Sequence, residues 1–569
     1  MQGIAPAHGT LRFGPFGADL LARELRKQGV RIKLPDQSFR VLGMLLECPG
    51  KLVSREALQQ QIWPSDTFVD FEQGLNNSIK RLREALGDSA EMPQYIETLP
   101  RRGYRFIGAI DATSRRIQSL AVLPLEDLSH TGEQEYFAEG LTEALITTLA
   151  KIGELRVISR TSVMQYQGVR KPLSEIAREL GVDAIVEGTV LRAGDRVRIT
   201  AQLIDTPVET HLWAESYERD MRDILDLQSE VAHAIAREIR IKLTPIDEAR
   251  LAKSHPVNPE AYEAYLKGRY YWNRRPAKLA EAIPCFEQAI AKDPTYAPAY
   301  AGLADCFSSL GAWALVSAEE GCVKAKGLAL RALEIDHGSA EGHSALAYAS
   351  MYHYDFLAAE REFEWAIEIN PRYATAHHLF GWYLCTMGRH EESYTEFQRA
   401  IRLDPLSVTK SLLGNNWLYS RRYDRAIEQF TKDLDPDYGP SHSVLGWAYR
   451  CKSLYEPAIT ALQKGVELWP GSAPIAMLGE AYAAAGHRDA AHKILEELDR
   501  LSKQRYVTPY VVARIHFTLG ERTEALHWLE VAYRQRAEWM VLLKVDPCFD
   551  DLRSDPRFQD LMRRMNFPT

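Results

Sequence analysis

The chemistry this sequence offers most plainly is hydrogen bonding to base edges and phosphates, and Asn77, Ser78, Lys80, Arg81 and Arg83 offer it. They lie in the run Gly74-Leu75-Asn76-Asn77-Ser78-Ile79-Lys80-Arg81-Leu82-Arg83-Glu84-Ala85-Leu86. An arginine can pair with guanine O6 and N7 through two parallel bonds, and an asparagine with adenine N6 and N7. Lysine and serine suit phosphate oxygens. Further on, Tyr95 to Phe106 reads as two short strands around a tip that carries Arg101 and Arg102. A polar helix followed by a basic hairpin can reach two adjacent grooves of DNA.

Such residues need elements to hold them. At about 100° per residue, Leu75, Ile79, Leu82 and Leu86 share one side of a helix, and Gln73, Asn77, Lys80, Arg81 and Glu84 the other. Asp70 fits an N-cap and Gly87 a helix stop. Upstream, Leu11 to Leu34 alternates as short strands, and Phe39, Leu42, Leu45 and Leu46 form the stripe of a first helix closed by Pro49-Gly50. Ser54 can cap a second helix running through Trp63, which Pro64 ends. For an isolated helix, Lys80, Arg81 and Arg83 would be read as a solvated charged face. The strands, both preceding helices and the hairpin, in order, favour a DNA reader.

This segment resembles the OmpR/PhoB-type winged helix-turn-helix domain, particularly the variant that heads CadC-like regulators. The resemblance rests on Leu34-Pro35 and Phe39 to Leu42, Leu52 to Leu58, Ile62-Trp63-Pro64, Ile79 to Asp88 and Ile96 to Phe106. It implies a winged helix over residues 10–110, with the Gly74–Leu86 helix in the major groove. By position it makes Asn77 and Arg81 the base-edge candidates. It puts Trp63, Ser78, Lys80 and Arg83 near phosphates, Arg101 or Arg102 in the minor groove, and Tyr104 on the backbone. Pro100 stands where many relatives carry an arginine, so which of Arg101 and Arg102 enters the groove stays open. The resemblance further implies self-association on direct repeats and allows contact with RNA polymerase.

The totals bound the rest. With 569 residues, 46% apolar and 26% charged, the chain is a multidomain globular protein. Its net charge of −8 hides an asymmetry: residues 10–110 hold 15 Lys and Arg against 12 Asp and Glu (+3), the remainder 54 against 65 (−11). The seven cysteines form no CxxC pair, which fits reduced, buried thiols in the cytoplasm. Neither a signal peptide nor an apolar run of about 20 residues is present, so no membrane is expected.

Residues 117–245 read as a small α/β mixed-sheet domain. Ser119 to Leu125, Leu155 to Ile158, Asp183 to Val190, Arg196 to Ile204 and Thr210 to Tyr217 are strands, with helices at Tyr136 to Ile152, Leu173 to Leu180 and Ile224 to Leu243. Ala121 to Leu125, Tyr136 to Glu143, Val157 to Arg160 and Asp183 to Val190 resemble the TolB-like domain found beside CadC-type heads. The polar groups of Ser159-Arg160-Thr161-Ser162 and Glu139 are read as loop polarity, with a ligand pocket as the alternative. From residue 258, proline-marked helix ends recur at Pro371, Pro405, Pro436 and Pro470, in steps of 34, 31 and 34. A period near 34 resembles tetratricopeptide (TPR) repeats. This gives an all-α TPR solenoid of about eight units over 258–538 and a C-terminal cap over 539–569. Phe380/Gly381 with Ser393, Phe397 and Ala400 are the large–small pattern of one unit, and Leu445/Gly446 with Ala458, Leu462 and Gly465 that of another. Trp272, Tyr300, Trp365, Trp382, Trp417 and Trp447 are read mostly as core.

The expectation is a sequence-specific DNA-binding transcription regulator whose partners are double-stranded DNA and, through the TPR array, proteins. The alternative is a TPR scaffold or signalling adaptor with auxiliary DNA binding. No cofactor or metal is expected, and no enzyme: Walker A, GxGxxG, G-x-S-x-G, HExxH and kinase or cyclase motifs are missing.

Overall fold

The computed structural model describes residues 10–20, 22–27, 29–62, 71–108, 117–129, 134–206, 210–239, 241, 244, 247–248, 257–274, 278–312, 315–406, 409–469 and 471–568. Its contacts divide the chain into two compact units, Met1–Gln118 and Ser119–Thr569.

The first unit opens with an antiparallel sheet of β1 (Thr10–Phe13), β2 (Phe16–Asp19), β3 (Glu24–Lys27) and β4 (Val30–Ile32). Helix α1 (Asp36–Glu47) follows, then β5 (Leu52–Ser54), α2 (Arg55–Ile62) and α3 (Phe71–Leu86). β6 (Ile96–Leu99) and β7 (Gly103–Phe106) close a second sheet in the order β5-β7-β6. Ser54 caps α2 as its residue type suggests, its Oγ accepting from the Ala57 amide at 3.2 Å. The expected cap of α3, Asp70, lies outside the described residues. One core joins all these elements: Phe13, Phe16, Phe39, Leu42, Leu45, Leu58, Leu75, Ile79, Leu82 and Phe106 are buried together.

The second unit begins with a mixed sheet. β8 (Ser119–Val122), β10 (Arg156–Val157) and β11 (Ala184–Ala193) are parallel; β11, β12 (Arg196–Asp205) and β13 (Thr210–Asp220) form an antiparallel meander, and β9 (Glu126–Asp127) pairs with β11. Helices α4 (Glu135–Ala150), α6 (Leu173–Leu180) and α7 (Ile224–Glu238) accompany it, and a single turn, α5 (Arg160–Val163), stands where the sequence suggested a loop. Beyond it, eight antiparallel helix pairs follow among the described residues, from Pro259–Trp272 with Leu279–Lys292 to Pro509–Thr518 with Arg522–Arg534.

Small residues on the first helix of a pair face large ones on the second. A Cβ added at Gly381 would lie 2.9 Å from the Phe397 ring, and one at Gly446 2.6 Å from Leu462. The Phe397 ring is fully buried and cannot give way. For Gly381→Ala the overlap costs about 1–3 kcal/mol, more than the ~1 kcal/mol gained by removing a helical glycine. The thermal midpoint of the second unit is expected to fall, which scanning calorimetry reads directly.

Two histidines one repeat apart make the same contacts. His343 Nδ1 meets Glu362 Oε2 at 2.6 Å and its Nε2 the His337 carbonyl at 3.1 Å; His377 Nδ1 meets Glu396 Oε2 at 2.6 Å and its Nε2 the Pro371 carbonyl at 2.9 Å. In each, both ring nitrogens face acceptors. At His343 burial opposes the charge, but Glu362, the His337 carbonyl and Asp336 outweigh it and the pKa is raised. A raised folded-state pKa stabilises below the unfolded value near 6.5 and is lost as pH climbs through the folded one. His343→Gln is therefore expected to lower the urea midpoint more at pH 6 than at pH 9.

The aromatics divide. Trp272 and Trp447 are buried, at 9% and 4% exposure, whereas Trp365 is 51% exposed and stands outside the core it was assigned to.

The α/β part is docked on the array, not tethered to it. Burial opposes ionisation of Glu143 on α4, but Arg269 and Arg160 more than offset this and hold its carboxyl below the ordinary range. Glu139 binds Arg160 at 2.5 Å and Arg274 at 2.7 Å. Farther along, the Ser162 hydroxyl donates to Asp404 at 2.5 Å and accepts from the Leu406 amide at 2.8 Å, while Arg372 donates to the Gly153 carbonyl at 2.7 Å. The polar groups of Arg160, Ser162 and Glu139 are thus not idle loop polarity. They are the joint between sheet and solenoid.

Candidate nucleic-acid interface

The α3 helix buries Leu75, Ile79, Leu82 and Leu86 and leaves Asn77, Lys80, Arg81 and Glu84 exposed. Among the described residues neither Lys80 nor Arg81 has a carboxylate partner, so both cations are available. Asn77 and Arg81, one helical turn apart, share the exposed face.

The other candidates separate. Ser78 is 4% exposed and faces inward, so it cannot reach phosphate as the helix stands. Arg83 bends back to the wing: its Nη2 donates to the Ile96 carbonyl at 2.7 Å and to Thr98 Oγ1 at 2.8 Å. Tyr104 is 3% exposed, and its hydroxyl donates to Asn76 Oδ1 at 3.1 Å while accepting from Arg55 Nη1 at 3.2 Å. Arg83 and Tyr104, expected at phosphate and backbone, thus each bond the helix to the hairpin within the protein. Trp63 lies outside the described residues.

At the wing tip Arg101 and Arg102 are both exposed. The Arg102 amide closes a turn onto the Leu99 carbonyl at 3.0 Å, with Pro100 at its second position and Arg101 at its third with φ +61°. That is the type II pattern, in which proline presets the first corner and the second needs the left-handed region. Pro100 thus shapes the tip on which the two arginines ride. Gly103, with φ +151°, could not carry a side chain, since its Cβ would fall 2.0 Å from the Val53 carbonyl.

Sequence reasoning missed the organiser of the site. Arg55, at the start of α2, pairs with Glu72 and donates to Asn76 Oδ1 at 3.0 Å and to Tyr104, tying α2, α3 and β7 together. The Glu72 contact raises its pKa, keeping it charged. Arg40 of α1 likewise donates to the Gln61 carbonyl at 2.6 Å, closing the end of α2. The only sequence signal for Arg55 was its place directly after a capping serine.

Residues 29–106 match the family described as transcriptional regulatory protein, C terminal. Residues 115–234 match the HilA/YgeH-like transcriptional regulator, second domain. The head of the chain is thus similar in sequence, as well as in build, to the C-terminal module of transcriptional regulatory proteins. Among curated relatives, a putative adenylate cyclase 3 of Rhizobium meliloti is 38% identical over 41% of this chain and 40% of its own length. The transcriptional regulator HilA of Salmonella typhi is 25% identical over 70% of this chain and 71% of its own length. The chain therefore spans less than half of the first relative and about seven tenths of the second. A solved structure of Pseudomonas aeruginosa PilF aligns with 35% of this chain and 91% of its own, at 23% identity and a TM-score of 0.27. Among the described residues no helix is long and apolar enough to cross a membrane.

Proposed function

We propose that this protein is a sequence-specific DNA-binding transcription regulator. The observation that carries the reading is the free Asn77–Arg81 face of α3, aligned with Arg101 and Arg102 by the Arg55–Glu72–Asn76–Tyr104 cluster inside a regulator-type module. In this reading Asn77 and Arg81 read base edges in the major groove, Lys80 meets phosphate, and the wing arginines lie along the neighbouring minor groove or backbone. The finer kinship is a CadC-like head at 10–110 with a TolB-like centre at 117–245, a TPR superhelix at 258–538 and a cap at 539–569. The protein works in the cytoplasm, without catalysis, and its α/β and TPR parts carry partner contacts and self-association that govern DNA binding and RNA polymerase recruitment.

Selection of full-length protein on a random double-stranded DNA pool tests this reading. An enriched site that survives 150 mM salt is expected. No enrichment, together with stable protein partners on pull-down, would replace it with the scaffold reading. The packing of residues 537–567 against the array's inner helices speaks against a scaffold that relies on an open groove.

A further inference from the structure

An open TPR array offers the first helices of its pairs to an extended or helical peptide. Here the chain's own C-terminal segment covers them. Met351, Tyr383, Leu384, Tyr419 and Trp447 share one buried core with Met540, Val541, Phe549, Phe558 and Met565. Phe567 stacks on Phe356 at 4.8 Å, the Tyr354 hydroxyl donates to the Ala537 carbonyl at 3.2 Å, and Arg421 donates to the Val545 carbonyl at 2.6 Å. Asp546-Pro547-Cys548-Phe549 and Asp555-Pro556-Arg557-Phe558 repeat one device. An aspartate caps a short helix, proline follows, and the phenylalanine is buried, at 0% and 1% exposure.

A cleft of about 790 Å³ lies between the turns at Met387–His390 and Tyr419–Arg421 and the covering segment. Arg389, Arg421, Lys544 and Arg553 line it, with Glu360 the one carboxylate among its lining residues. Arg389 is matched by Glu360 and Glu392, whereas Arg421 and Arg553 share the single carboxylate of Asp550. Lys544 is half-buried, donates to the Pro568 carbonyl at 2.8 Å, and has no carboxylate partner among the described residues. Burial alone lowers its pKa. His390 adds no charge here: burial depresses its pKa, and its Nδ1 lies 2.9 Å from the Asn416 side-chain oxygen.

We propose that this cleft is a binding site for a small anion, a phosphate or carboxylate compound, seated against Lys544 between Arg421 and Arg553. Its anionic group pairs with the Lys544 ammonium through charge-assisted hydrogen bonds. A ligand seated there bridges two repeat turns to the covering segment. The inference rests on the helical array and is independent of the DNA-binding reading.

Hydrogen–deuterium exchange of the full chain tests it, with inorganic pyrophosphate and citrate as probes and sodium chloride matching the ionic strength. Saturable slowing is expected at residues 387–390, 419–421 and 542–553 with at least one probe; the probe that acts assigns the class, phosphate or carboxylate. In Lys544→Gln the midpoint is expected to rise about tenfold or more, a difference of about 1.4 kcal/mol. Lys544→Arg is expected to keep the response. Without probe, Lys544→Gln is expected to leave exchange along 538–567 unchanged, because Lys544 is only half-buried and glutamine can still donate to the Pro568 carbonyl. Slowing confined to the 71–106 region, no slowing with either probe, or equal slowing in Lys544→Gln would overturn the proposal. Loosening of 538–567 in probe-free Lys544→Gln would do so too, by assigning Lys544 to packing.

Discussion

Replacing Arg81 with alanine is expected to lower affinity for the selected DNA site by about tenfold to a hundredfold, and to relax the preference at one base position. The side chain is exposed, has no carboxylate partner among the described residues, and projects from a helix whose opposite side is locked into the core through Leu75, Ile79 and Leu82. Its removal therefore costs little stability. A bidentate arginine–guanine pair is worth about 1–3 kcal/mol of discrimination. Lys80→Ala is the contrasting case: it is expected to weaken binding to all sequences alike and to reduce the salt slope by about one. Mobility-shift titrations on cognate and scrambled duplexes at several salt concentrations separate the two effects. If Arg81→Ala binds both duplexes as the parent does, α3 is not the reading helix. If it weakens both equally, Arg81 is a phosphate contact.

The contrast between these residues and Ser78 or Arg83 shows what the sequence could tell. On the helical wheel Ser78 and Arg83 each fall about 70° from the centre of the apolar stripe, whereas Asn77, Lys80 and Arg81 lie beyond about 120°. The wheel alone thus separates the exposed residues from the packed ones. Carrying positions over from a family blurs that distinction, because a family position says which residues lie near DNA and not which are already bonded within the protein. The Arg83–Ile96 and Tyr104–Asn76 bonds join residues 13 and 28 positions apart. Periodicity has no access to such pairs.

The same limit explains the second unit. Its elements were legible because period two, period 3.6 and a 34-residue repeat are local patterns, and the small–large pairs Gly381–Phe397 and Gly446–Leu462 stand a fixed distance apart. The docking of α4 and α5 on the array was not. Glu143 with Arg269 and Ser162 with Asp404 are 126 and 242 residues apart, and each side chain alone reads as ordinary surface polarity. The covering of the inner helices by 537–567 escaped for a related reason. A terminal cap is expected at the end of a solenoid, and nothing in Asp546-Pro547-Cys548-Phe549 says which surface its phenylalanine enters.

That covering has an electrostatic centre whose loss is expected to have the largest effect on stability. Glu480 (3% exposed) meets Arg514 (1% exposed) at 2.6 Å and Arg450 at 2.7 Å. Asp546, fully buried in the covering segment, accepts from the Tyr510 hydroxyl and the Cys548 amide at 2.8 and 2.9 Å and lies 3.8 Å from Arg514. Arg514 also stacks over Trp447 at 4.4 Å. Two guanidinium groups and two carboxylates thus join three helices of the array to the segment that covers them. Burial works against the Arg514 charge, but Glu480 and Asp546 overcome it and its pKa is raised. Glu480→Gln keeps the volume and removes one negative charge, leaving two buried cations on one carboxylate. Breaking a buried pair in this way costs about 3–5 kcal/mol. The denaturant midpoint of the second unit is expected to fall, and exchange along 538–567 to quicken first. Glu480→Met with Arg514→Met is expected to recover much of the loss, because the desolvation cost leaves with the charges. A Glu480→Gln variant as stable as its parent, with unaltered exchange in 538–567, would show that apolar packing of Phe549 and Phe558 holds the segment without help from the charges.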